Sequence, residues 1–171
     1  MSDFTTIHCA REIRAGDHIS WPTEMAFGVL SHHAIVVDVI SGNTLKVIHV
    51  VPDERNLPAR PAPVSGSLYG SGSPGSYWVR EQIIDFSEPM RNGNLRRYNY
   101  PPRDCYPPAK VIQNARSKLG EFDYDTFNNN CEHFAQWCKT GKKISHQVEV
   151  AYVTAKLLLG CAINYLSNLS K

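Results

Sequence analysis

Apolar residues gather in short β-branched runs through the first half of the chain and recur at helical spacing only in the second half. GDHISWP (16–22) reads as a short strand after a turn. HHAIVVDVI (32–40) and TLKVIHVVP (44–52) are separated by Ser41, Gly42 and Asn43, which predicts an antiparallel hairpin. YWVREQIIDF, from Tyr77 to Phe86, resumes as a strand, and a further short one is expected around Asn94 to Tyr100. Between them PDERNLPARPAPVSGSLYGSGSPGS (52–76) is rich in Pro, Gly and Ser and offers no regular apolar face, so it reads as a flexible insertion.

A helix is expected from Pro108 to Gly120, because proline suits the first helical position, Val111, Ala115 and Leu119 recur every four residues, and glycine is a common stop. A second runs from a cap at Asn129 or Asn130 to Gly141. A C-terminal helix at about 148–168 follows, and the reading is that it packs on the domain core. Its longest uncharged run, Leu157 to Ser170, has 14 residues, short of the roughly 20 a bilayer span needs. The alternative is an amphipathic helix at a membrane surface, with Lys156 and Asn164 on one side and Val153, Leu157 and Leu158 on another. Strands first and helices later predict one α+β domain over 1–171, an antiparallel sheet with packed helices, and there is no internal repeat.

Composition narrows the function. At 171 residues and 42% hydrophobic the chain can build one sizeable core. A formal charge of +2 without a basic run argues against nucleic acid as a partner. The opening MSDFTTIHCAREIRAG lacks the apolar stretch of a secretory signal, which predicts a cytoplasmic protein. Five cysteines, at 9, 105, 131, 138 and 161, have no CxxC spacing and read as reduced thiols rather than a disulfide framework or zinc site.

Cys131 stands apart from the other four. It follows three asparagines and opens an apolar helical pattern, so it occupies a helix N-terminus, where partial positive charge and free amides lower a thiol's pKa and offer donors to an oxyanion. That position predicts the most acidic thiol of the chain. A thiolate nucleophile needs an imidazole, and the hairpin carries His32, His33 and His49. Adjacent strand residues face opposite ways, so only one of His32 and His33 can share a side with the nucleophile. A two-residue turn at Gly42 and Asn43 puts His49 opposite Val36, on the face of His32; a three-residue loop puts it opposite Ile35, on the face of His33. Spacing leaves both open. Metal binding by Cys131 and His133 is set aside, since residues two apart lie about 200° apart around a helix.

SHHAIVV, the histidine in KVIHVVP, and LGEFDYDTFNNNCEHFAQWCKTG together resemble the LRAT-domain family, the lecithin retinol acyltransferase-like proteins, over about Gly16 to Val148. The resemblance implies a permuted papain-like thiol-enzyme fold related to bacterial NlpC-type cell-wall peptidases. It places His32 in the base position, with His33 in the slot of an aromatic residue, His49 as the orienting histidine and Cys131 as the nucleophile. The 17 residues from His32 to His49 then require a bulge or a longer loop between the strands. The implied activity is cysteine-dependent acyl transfer, or phospholipid acyl hydrolysis, through a thioester on Cys131, without a cofactor or metal. A lipid or other acyl donor is the expected partner, with peripheral membrane contact. The alternatives are a thiol peptidase or amidase and a non-catalytic binding module.

Overall fold

The computed structural model describes residues 3–22, 31–53 and 77–169, with side chains through 159. Most of the expected insertion, residues 54–76, and the side chains of Cys161 and Asn164 lie outside the described residues.

The described strands form one antiparallel sheet. β1 (Phe4–Ile7), β2 (His18–Pro22), β3 (Ser31–Ser41), β4 (Thr44–Pro52), β5 (Tyr77–Asp85), β6 (Leu95–Tyr98) and β7 (Gly120–Phe122) lie in the order β1-β6-β2-β3-β4-β5-β7. Four α-helices accompany them: α1 (Ser87–Arg91), α2 (Pro108–Arg116), α3 (Cys131–Thr140) and α4 (His146–Leu169). The chain is α+β, as its pattern predicts.

Alternation along β3 and β4 gives the sheet two apolar faces. Ala34, Val36, Leu45 and Val47 pack with Ile7, Ile13, Phe86 and Met90 on one side. Ile35, Ile48 and Val50 pack with Val111 and Ala115 of α2 and with Phe134, Ala135 and Cys138 of α3 on the other. Each large aliphatic side chain buried this way contributes about 1.5–3 kcal/mol.

The β3–β4 hairpin turns at Gly42, whose φ of 52° suits a glycine, and Ser41 pairs with Thr44. The two-residue turn is therefore the one formed, yet His49 pairs with Ala34 and not Val36, because the register slips between Val36 and Asp38 and again between Val39 and Ser41. Two single-residue bulges absorb the extra length. Their sum is even, so His49 keeps the face of His32.

Two expectations need correction, and three short elements were not expected. Helix α2 stops at Arg116, and Gly120 instead opens β7 with φ 120°. The short elements β1, β7 and α1 had no clear apolar period to announce them. Helix α4 forms, two residues earlier than expected, and its first turn docks at Glu132 and His33, but residues 149–159 are not packed on the core: Val150, Tyr152, Val153, Leu157, Leu158 and Leu159 are 54–67% exposed. No described helix is long and apolar enough to cross a membrane.

Candidate active site

Asn130 starts α3. Its side chain accepts from the amides of Glu132 (2.9 Å) and His133 (3.0 Å), and its own N–H donates to His133 Nδ1 (3.2 Å), a reciprocal cap. Two of the helix's unpaired amides are thus consumed, and the N–H of Cys131 reaches its own sulfur.

Where that helix meets the sheet, the ladder between β3 and β4 has just ended at Ala34 and His49. Val36 turns its backbone toward β2, accepting from Gly16 N and donating to Asp17 O. Alternation therefore turns the backbone of Ser31 and His33 the other way, toward the side on which β4 has parted from β3. Cys131 and Gln147 occupy that side. The Cys131 thiol donates to Ser31 O (3.8 Å), the His33 N–H reaches the sulfur, and Ser31 N–H donates to Gln147 Oε1 (2.8 Å). The sulfur consequently sits at the level of the sheet, beside the two backbone groups that flank His32. A cleft opens over it, lined by Tyr124, Thr126, Phe127, Gln147, Val148 and Ala151.

The hairpin histidines divide between the two faces. His32 and His49 are hydrogen-bonded, Nε2 to Nδ1 at 2.9 Å, and His49 Nε2 meets Gln82 Oε1 at 2.6 Å. Trp21 walls this pair, its ring 4.9 Å from His32 and 4.9 Å from Phe86. His33, fully buried, lies on the α3 face with His18: His33 Nδ1 is 2.8 Å from His18 Nε2, and His18 Nδ1 is 2.7 Å from the Tyr100 hydroxyl. The structure thus joins His32 to His49 and sets Cys131 against the backbone on either side of His32. Among the described residues no imidazole nitrogen hydrogen-bonds the sulfur.

Gln82 fixes a proton order in the first pair. Its carbonyl oxygen accepts, so His49 carries its hydrogen on Nε2; the bare Nδ1 of His49 accepts from His32 Nε2–H; and His32 is left with a bare Nδ1, which has no partner among the described residues. That is the state of a base. Burial, then the neighbouring His49, lowers the His32 pKa to about 3, and burial also lowers His49.

Burial pushes the Cys131 thiol up to about 11, against the opposing pull of the His33, Cys131 and Glu132 amides. The expected acidic thiol is therefore not the resting state: the thiol is neutral, as are His32 and His49. Removal from water outweighs the helix N-terminus.

Sequence reasoning missed Gln82, His18, Gln147 and Trp21. Gln82 is 33 positions from His49 and Gln147 is 114 from His33, and a glutamine announces nothing by type. His18 opens a strand, HISWP, in which it alternates with Ile19 and Ser20, and nothing in that run marks it for a role.

The lecithin retinol acyltransferase family model matches residues 11–144. The chain belongs to this family. Two curated relatives, the lecithin retinol acyltransferases of Mus musculus and Rattus norvegicus, are each 40% identical over 50 residues, 29% of this chain and 22% of theirs. The match spans about a fifth of those relatives' length. No solved structure matches the chain.

Proposed function

We propose that the protein is a cysteine-dependent acyltransferase or lipid acyl hydrolase working through a thioester on Cys131. The observation that carries this reading is the thiol at the start of α3 set on the Ser31 and His33 backbone that flanks His32, whose bare Nδ1 is oriented through His49 and Gln82. His32 takes the thiol proton as the sulfur attacks an ester carbonyl and gives it to the departing alcohol as the C–O bond breaks; the thioester left on Cys131 is then cleaved by water or a second acceptor, which is deprotonated in turn by His32. His49 holds the His32 tautomer and shares the charge that forms. The N–H of Cys131, which faces its own sulfur at the start of α3, is the donor to steady the developing oxyanion. Because thiol and base rest neutral, proton transfer accompanies attack rather than preceding it.

A helix-borne cysteine against strand-borne histidines also supports the permuted papain-like assignment, with the base ahead of the nucleophile in the chain. The apolar cleft wall of Phe127, Val148 and Ala151 favours a lipid acyl donor over a peptide, and the exposed apolar residues of α4 favour peripheral contact with a membrane. A cytoplasmic setting fits the free thiols Cys9, Cys105, Cys131 and Cys138.

Intact-protein mass spectrometry tests the reading. A short-chain phospholipid should add one acyl chain, labile to hydroxylamine and missing from Cys131→Ser; His49→Ala, slowed but active, is the form in which to trap it. An adduct from an activated peptide ester but from no phospholipid would favour a thiol peptidase. No adduct from either donor would leave a binding module.

A further inference from the structure

Two histidine pairs meet at β3, and a glutamine sets the direction of the protons in each. We propose that Gln147 is a positioning residue that decides which of two adjacent histidines serves Cys131: by donating to the bare Nε2 of His33 it withdraws that imidazole, and His32 is left as the base. The functional half rests on the reading of Cys131 as nucleophile; the assignment of tautomers does not.

The chain of assignments starts from one unambiguous donor. Ser31 N–H can only donate, so the atom of Gln147 that faces it at 2.8 Å is the oxygen. The Gln147 nitrogen then faces His33 Nε2 at 2.7 Å and Glu132 Oε2 at 3.3 Å, one hydrogen for each. Glu132 is held there by Ser145 Oγ (2.6 Å) and by the backbone N–H of Gln147 (3.1 Å), so the amide cannot turn without losing partners on every side. A donated hydrogen needs a lone pair, so His33 Nε2 is bare and its proton is on Nδ1. His33 Nδ1–H donates to His18 Nε2, and His18 Nδ1–H to the Tyr100 oxygen.

The contrast with the other pair is the point. Gln82 presents an oxygen to its histidines, which pushes the lone pair outward to His32 Nδ1. Gln147 presents a nitrogen, which ties the lone pair of His33 down. The sulfur rests on the backbone groups of Ser31 and His33 and packs with Ile35, Ile48 and Phe134 on the α3 face, the face of His33, so position alone does not withdraw His33 from it. Gln147 also lines the cleft over Cys131, and removing its amide would uncover the lone pair of His33 on the cleft side.

Long-range proton–nitrogen NMR on the full chain reads the tautomers directly. The wild type should show Nδ1–H for His33 and His18 and Nε2–H for His32 and His49. Gln147→Glu keeps an oxygen for Ser31 but offers His33 an acceptor, and should move the His33 proton to Nε2. Thioester formation with a short-chain phospholipid reads the choice of base. His32→Ala should cost on the order of 100-fold or more in the wild type, but less than about tenfold on a Gln147→Leu background, where His33 substitutes. The residual rate should vanish when His33→Ala is added. An equal loss from His32→Ala on both backgrounds, or Nε2–H on His33 in the wild type, overturns the proposal. Should Gln147→Leu fail to fold, Gln147→Glu carries the tautomer test alone. If the wild type forms no thioester, the nucleophile reading fails and the choice of base fails with it, while the tautomers remain decisive for the wiring.

Discussion

A proton resting on a backbone carbonyl is the central fact at the scale of single residues. The Cys131 thiol donates to Ser31 O and is only 8% exposed, so both its pKa and its access oppose attack on a reagent in bulk water. Iodoacetamide at pH 7 should therefore modify the exposed Cys9 before Cys131, as read by peptide mass mapping; Cys131 labelled first would mean that the thiolate exists at rest. The address of Cys131 was legible, since asparagines ahead of an apolar period mark a helix start. Its protonation state was not, because burial is a property of the packed neighbours. The wiring of His32 and His33 was hidden for a related reason: it depends on two glutamines whose partners are brought near only by the sheet and by α4.

Among the elements, α3 depends most on one side chain. Asn130 caps two amides, and its Nδ2 also donates to Thr126 O (2.9 Å) and faces Ser145 Oγ (3.4 Å), so it ties the helix to the loop before it and to the approach to α4. Asn130→Ala should cost about 1–2 kcal/mol in urea unfolding and slow acylation as the thiol loses its aim. An unfolding midpoint unchanged from wild type would show that the cap is redundant. Strands β2 to β6 and helix α3 could be read from their runs and caps, because local pattern and final environment agree there. Helix α4 was legible as a helix but not in its packing: its apolar residues imply a partner, and the described sheet and helices leave 149–159 exposed.

At the scale of the whole molecule, four histidines are kept neutral by burial. His18 and His32 are lowered to about 3, His33 well below the ordinary value and His49 below it, in each case chiefly by removal from water. Between the unfolded value near 6.5 and those folded values the unfolded chain binds more protons, so stability rises with pH through this window and is lost as pH falls. Each histidine adds up to about 1.4 kcal/mol per pH unit. The free energy of unfolding should be level above pH 7 and fall steeply from about pH 6.5 toward 4, before most carboxylates titrate. A flat profile over that range would mean that the histidines are charged in the fold.

The paired bulges of β3 carry a rule of arithmetic. One extra residue would have turned His49 to the opposite side of the sheet, away from His32; two restore it. What the strands constrain is thus parity and not length: residues added to β3 or β4 between these histidines keep the pair on one face only in even steps, whereas residues added at the turn leave the ladder as it is.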